Sequence, residues 1–384
     1  MHGRPAMADA SAADSKEIHK LFRLMGKYGA SDLHLKAGSP PIFRIRGDLR
    51  NLDLPPLSDA QVRRLVYDIL TEDQIRTLEH VGDVDLAYSV DERTRVRINT
   101  YHQRGCLSLA ARLVNFRIPT FEELNLPVSV MEQIAALDQG FVIMSGVTGS
   151  GKSTTLAALI EYINTTRRLH IVTIEDPIEY MYTDRRCAIN QREVGIDVPS
   201  FHEALRYVVR QDPDVILLGE MRDTETVQAG LSAAETGHLV FGTLHSSTVP
   251  QTFSRLLEFF ESARQKQIRL SLQFNLKAIV CQKLLPSIKP GVARVPAFEI
   301  MIVTPPIAKL IEQAEDVRIL DVIKQSRSEG MIDFNRSLYD LIKNGWIDER
   351  VALETSPNPQ GLRGMLEGVF VSEGALAGVG LRGG

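Results

Sequence analysis

FVIMSGVTGSGKSTTLAALI, residues 141–160, decides how the rest of the chain is read. Two apolar runs flank a loop of glycine, serine, threonine and a single lysine. Residues 146–153, GVTGSGKS, fit the spacing GxxxxGK[ST] at every fixed position. Phe141 to Met144 reads as a buried strand, and Leu156, Leu159, Ile160 and Ile163 recur at helical spacing just after it. In such a strand–loop–helix unit, glycines let backbone N–H groups turn inward around phosphate oxygens, and the helix N-terminus adds partial positive charge. Gly146, Val147, Thr148, Gly149, Ser150, Gly151 and Thr154 form the expected cradle for ATP. Lys152 is expected to reach the β and γ phosphates, and Ser153 to ligate Mg²⁺. The bland reading, a glycine-rich turn that binds nothing, leaves the whole coincidence of spacing and context without a cause.

A phosphate loop alone does not say whether the nucleotide is hydrolysed. Ligands of open α/β sheets sit at the carboxyl ends of the strands, so polar groups there matter. HIVTIEDP (170–177) reads as a strand ending in Glu175 and Asp176, DVILLGEMRD (214–223) as one ending in Glu220, and LVFGTLH (239–245) as one ending in His245. Glu220 suits polarising an attacking water, Glu175 and Asp176 suit ordering Mg²⁺ and water, and His245 suits sensing the γ-phosphate. Singly, a strand-end carboxylate is more often a helix cap or a solvated turn. His238 lies seven residues before His245, about 23 Å away along an extended strand. Both histidines cannot reach one phosphate from a straight strand, and for His238 a structural or interface role stands beside the functional one.

The chain of 384 residues suits two domains. A net charge of −4 gives no global pull toward nucleic acid. Three scattered cysteines offer neither a zinc knuckle nor a disulfide framework, and no run is long and apolar enough to span a membrane, so a cytoplasmic protein is expected. Residues 1–115 read as a small antiparallel α+β domain behind a disordered leader at 1–15. In RTRVRIN (93–99), Arg93, Arg95 and Arg97 share one strand face, with Val96 and Ile98 on the other, and Arg112 lies on the next strand. The simplest reading is a solvated face; the alternative is a set of arginine fingers that stabilise transition-state charge. Residues 116–130, with Pro119 and Pro127, read as a linker. Residues 131–353 follow the α/β pattern of a parallel sheet, mostly helical from Lys266 onward, and 354–384 read as a flexible tail.

With these motifs assembled, the sequence resembles the secretion ATPase superfamily, and within it the PilT/PilU class of type IV pilus retraction ATPases. SDLHLKAGSPPIFRIRGDL (31–49) resembles the family's opening, GVTGSGKSTTLAALIEYIN (146–164) its Walker A, and IVTIEDPIEY (171–180) its Asp box. RQDPDVILLGEMRDTETVQAGLSAAETGHLVFGTLHSS (210–247) resembles its Walker B and His box run together. The resemblance implies a PAS-like N-terminal domain, then a RecA-like ATPase domain with a helical C-terminal part. It implies a homohexamer that hydrolyses ATP to depolymerise a pilus, acting on an integral inner-membrane platform protein from the cytoplasmic side. By the same resemblance Glu220 matches the catalytic glutamate and His238 and His245 the His-box histidines. Arg95, Arg97 and Arg112 fall in the strands that send arginines to the nucleotide. Two departures stand out: Val147 where proline is usual, and PIAKLI (306–311) in place of an AIRNL-type segment. The second keeps open an accessory subunit that assists an active paralogous retraction ATPase. A RecA-like nucleic-acid motor is the further alternative, disfavoured by the acidic charge, and the lack of a four-cysteine module disfavours a pilus-assembly or type II secretion motor.

Overall fold

The computed structural model describes residues 16–45, 47–91 and 94–368, which form two compact units. The expected leader, the end of the expected tail and Arg93 lie outside the described residues. The first unit spans residues up to Arg117 together with Ile178–Met181, and the second spans Ile118–Pro177 and the chain from Tyr182 onward.

In the first unit, α1 (Glu17–Tyr28) buries Ile18, Leu21, Phe22 and Met25 along one stripe and ends on Gly29 in the left-handed region. Six strands follow: β1 (Ala30–Lys36), β2 (Ile42–Ile45), β3 (Asp48–Asn51), β4 (Asp83–Asp91), β5 (Thr94–Gln103) and β6 (Cys106–Leu113). They form one antiparallel sheet in the order β3-β2-β1-β6-β5-β4. Two helices, α2 (Asp59–Tyr67) and α3 (Glu72–Val81), each start with a capping box, Ser58 with Gln61 and Thr71 with Gln74. Asn115 pairs with the 178–181 segment, donating to the Glu179 carbonyl at 3.3 Å and accepting from the Met181 N–H at 2.9 Å.

The second unit opens with Phe121 and Leu126 packed into its core and with α4 (Val128–Ala135). Its sheet contains β7 (Gly140–Ser145), β8 (His170–Glu175), β9 (Ala188–Glu193), β10 (Val215–Leu218), β11 (Leu239–Leu244), β12 (Leu276–Pro286) and β13 (Arg294–Ile302), in the order β13-β12-β7-β11-β10-β8-β9. All neighbours are parallel except β13, which returns antiparallel on β12. The central strands β7, β10 and β11 are buried along their whole length, as strands covered by helices on both faces must be. The helices are α5 (Lys152–Thr166), α6 (Phe201–Val208), α7 (Thr224–Glu235), α8 (Val249–Glu258), α9 (Ser262–Asn275), α10 (Pro305–Gln313), α11 (Asp316–Gln325), α12 (Phe334–Lys343), α13 (Glu349–Thr355) and α14 (Pro359–Leu366).

Two expectations are corrected here. In the stretch after Lys266, expected to be helical apart from a proline-rich break at LLPSIKPGVARVP (284–296), residues 276–302 form the β12–β13 hairpin, and Pro286 to Arg294 is its turn. The described part of the expected tail is folded: Asn358 caps α14 through its side chain, Pro359 starts the helix, and Leu362 is fully buried.

Glu299 on β13 ties the hairpin to two helices. It sits opposite Cys281 in the β12 register and is 2% exposed. Its Oε1 accepts the Val249 N–H at the start of α8 at 2.7 Å, and the Phe334 backbone at the start of α12 also donates to the carboxylate. Burial pushes this carboxyl from its ordinary 4.5 to about 7, against the pull of those two N–H groups. The folded state therefore holds a proton that the unfolded chain releases near 4.5, so stability falls as pH rises between the two values. Comparing wild type with Glu299→Gln by urea denaturation at pH 5 and pH 7.5, the wild type should lose on the order of 3 kcal/mol more than the variant over that interval. Parallel losses would sink the assignment.

Candidate functional site

The phosphate loop is where the fold makes its sharpest local demand. β7 ends at Ser145, held between β11 and β12 with Leu244 and Cys281 opposite it. The chain then turns through Gly146 at φ 153° and re-enters a helix through Gly151 at φ 92°. A Cβ on Gly146 would stand 2.5 Å from the Gln282 carbonyl oxygen and 2.5 Å from Ser150 Oγ, and one on Gly151 would stand 2.7 Å from Gln282 Nε2. Both glycines are thus required by backbone conformation and by a neighbouring strand.

Inside the loop, the Lys152 ammonium donates to the carbonyls of Gly146 at 2.6 Å and Val147 at 3.2 Å. Ser150 Oγ is buried with no hydrogen-bond partner. A hydroxyl left without a partner, a lysine folded back on loop carbonyls, and a helix N-terminus together fit an incoming phosphate, which supplies the acceptor oxygens all three lack or would exchange for. Ser153 is exposed on the first turn of α5 and Thr154 is half-buried beside it. Val147, Thr148 and Gly149 are exposed on the outer arc of the loop.

Adjacent strand ends bring the acidic groups and one histidine. Glu220 lies just past β10, and its carboxylate meets Arg222 Nη2 at 2.6 Å and His245 Nε2 at 3.3 Å. The Arg222 hydrogen bond holds the Glu220 carboxyl below the usual carboxylate range despite partial burial, with smaller help from His245 and Lys152. His245 is also pushed below its ordinary value, chiefly by burial and then by the Lys152 charge, which in its case favours the neutral form. The pair at neutral pH is therefore an ionised carboxylate beside a neutral imidazole. Arg222 stays charged through Glu220, with Asp176 adding to its field. Glu175 ends β8, is 9% exposed, and accepts from the Thr173 hydroxyl at 2.6 Å and the Gln191 amide at 3.1 Å. Gly219 packs against it, since a Cβ there would stand 3.2 Å from the Glu175 Cα. Ser145 Oγ links β7 to the segment after His245, contacting Ser246 Oγ at 2.6 Å and the Ser246 carbonyl at 2.9 Å.

The structure therefore gathers Lys152, Glu220, His245, Glu175 and Asp176 at one end of one sheet. It does not bring His238 there. That residue precedes β11 at the opposite end, where its carbonyl accepts the Gly140 N–H and its ring lies 2.9 Å from the Ala233 carbonyl. Parallel pairing of β7 and β11 fixes that separation. Arg95, Arg97 and Arg112 belong to the first unit. Val96 and Ile98 are fully buried while Arg97 is exposed, and Arg112 pairs with Asp32 at 2.8 Å. Sequence reasoning missed Arg222, whose only signal was its place two residues after a strand-end glutamate, and Gln191 and Gln282, which carried none.

The chain matches the family described as type II/IV secretion system protein over residues 8–334. It is 41% identical over 344 residues to the type IV pilus retractation ATPase PilT of Pseudomonas aeruginosa, covering 90% of this chain and 99% of that protein. Identity to the type IV pilus ATPase PilU of the same organism is 39% over 351 residues, 91% of each chain. A crystal structure of the pilus retraction motor PilT with bound ADP aligns with a TM-score of 0.84 at 42% identity, over 90% of this chain and 98% of that one.

The Gly146 geometry makes a direct prediction. Gly146→Ala should weaken binding of a fluorescent adenine nucleotide by about tenfold or more and lower stability by about 1–3 kcal/mol, because backbone rather than a flexible side chain blocks the new methyl. Unchanged affinity in fluorescence titration would contradict the loop's stated tightness.

Proposed function

Because the chain belongs to the type II/IV secretion system protein family, we propose that it is a ring-forming ATP hydrolase whose turnover drives type IV pilus retraction. The observation that carries this reading is the ionised Glu220 and neutral His245 lying 3.3 Å apart within the field of Lys152. Lys152 would trade its loop carbonyls for β and γ phosphate oxygens of ATP. Glu220 would accept a hydrogen bond from the attacking water and orient it, and His245, uncharged, would report on the γ-phosphate by hydrogen bonding rather than by charge. Ser153 and, through water, Glu175 offer hard oxygen donors suited to Mg²⁺, which would neutralise phosphate charge, with Asp176 ordering the surrounding water.

The homohexamer, the inner-membrane platform protein as partner, the cytoplasmic position at the pilus base, and the finger roles of Arg95, Arg97 and Arg112 are parts of the same proposal. Among the described residues no helix is long and apolar enough to cross a membrane, so a membrane partner would be reached by docking. A second reading, an accessory subunit beside an active paralogue, is favoured by one observation. PIAKLI lies in α10, where Ile307, Leu310 and Ile311 hold the core while Lys309 is exposed. Its changed outer face would alter partner contacts without touching the nucleotide loop.

Purified protein should hydrolyse ATP with Mg²⁺ and gain specific activity as its concentration rises into the range of assembly. Lys152→Ala and Glu220→Gln should each lower turnover by about 100-fold or more. Binding without turnover in the assembled wild type would favour the accessory reading. Arg222→Ala adds a pH test. Losing the hydrogen bond that depresses the Glu220 carboxyl must raise its pKa, so the acidic limb of kcat/KM should move to higher pH. An unmoved limb would remove Glu220 from that step.

A further inference from the structure

Gln282 lies on β12, one residue past the Cys281–Ser145 pair, so it stands beside the point where β7 gives way to the phosphate loop. It is 3% exposed although it carries an amide, and a buried amide is kept only where it is bonded. Its Oε1 accepts the Thr155 hydroxyl at 2.8 Å. Thr155 is itself buried, in the first turn of α5. The Gln282 Nε2 abuts Gly151, the glycine by which the chain leaves the loop, and the Gln282 carbonyl oxygen abuts Gly146, the glycine by which the chain enters it. One residue of a neighbouring strand thus touches both ends of the loop and the helix that follows.

We propose that Gln282 is a positioning residue for nucleotide binding, which sets the opening of the phosphate loop by clamping Gly146, Gly151 and Thr155 against β12. The proposal rests on the reading of residues 146–153 as the phosphate loop. The loop's N–H donors can converge on a phosphate only if both hinges are held at a fixed separation, and Lys152, which holds the Gly146 and Val147 carbonyls, would turn to the phosphate when nucleotide binds. β12 supplies that reference because it is hydrogen-bonded along β7 and anchored on its far side by β13. Gln282 touches no reacting atom, so it acts on substrate and transition state alike. Its loss should raise KM and leave kcat near its wild-type value.

The test is fluorescence titration of the full-length protein with a labelled Mg·ADP, together with steady-state ATP hydrolysis. Gln282→Leu and Thr155→Val should each weaken binding about tenfold, and the double variant should be no weaker than either by more than a small factor, since both remove one hydrogen bond. Thr155→Ser keeps the hydroxyl and should bind like wild type. Wild-type affinity in Gln282→Leu, penalties that multiply in the double variant, or a Thr155→Ser as weak as Thr155→Val would each overturn the assignment. If Gln282→Leu fails to fold, as judged by loss of a cooperative thermal transition, the Thr155 pair decides alone. Lys152→Ala is the reference. Should it bind nucleotide normally, the phosphate-loop reading fails, whereas its failure to bind beside intact binding in Gln282→Leu and Thr155→Val discards only the positioning role.

Discussion

The structure depends on one constraint: a strand buried on both faces must end in a loop that points its backbone N–H groups at an anion. β7 cannot drift, because β11 and β12 hold it on either side. The turn at its end has no room for a Cβ at Gly146, because the Gln282 carbonyl already occupies that space. The same glycine therefore meets the demands of sheet packing and of the loop's turn, and neither can be relaxed alone. From that fixed point the other strand ends acquire their meaning, since parallel pairing aligns Glu175, Glu220 and His245 at the same edge.

What the sequence made legible follows from burial. Strands covered on both faces read as short apolar runs, and β7, β8, β10 and β11 were all visible that way. The strand partition of Arg97 against Val96 and Ile98 was visible through periodicity. The β12–β13 hairpin was not, because Lys277, Gln282, Lys283 and Glu299 interrupt its apolar pattern. Those residues are polar for tertiary reasons: Gln282 bonds Thr155, Lys283 donates to the Thr355 carbonyl at 2.8 Å, and Glu299 accepts from two helix N-termini. α14 escaped notice because two glycines and a proline in eight residues resemble a loop until Asn358 is seen to cap it. Reach along the chain sets the same limit on the site. Thr155 and Gln282 are 127 residues apart, and no local pattern joins them.

The placement of Lys152 bears on how the loop behaves before it meets a ligand. Its ammonium is nearly buried, and two carbonyls of the loop take up its hydrogens. Binding a phosphate then exchanges neutral acceptors for anionic ones, and charge-assisted hydrogen bonds are the stronger kind. On that reading the lysine would leave a satisfied position for a better one, and until then its two carbonyl bonds hold the loop in shape. Ser150 Oγ, buried and without a partner, is the complementary case of a group whose bond is deferred until an acceptor arrives.

Charge balance carries the argument one step further. In the second unit Lys152 and Lys283 stand at the loop and Arg222 beside Glu220, while Glu175 and Asp176 close the neighbouring strand and His245 is held neutral. Arg222 is largely spent on Glu220, with which it shares a 2.6 Å contact. A triphosphate entering such a site would bring more negative charge than these side chains offset, so cations arriving with it would favour binding. A divalent metal, and arginines from outside this cluster, are the kinds of group that would supply such compensation. Glu220, ionised beside Arg222, would add to that requirement, since the charge that suits it to polarise a water also repels phosphate. Such a site would trade unaided affinity for polyphosphate against a base that is ready, and nucleotide binding would be coupled to whatever brings the missing positive charge.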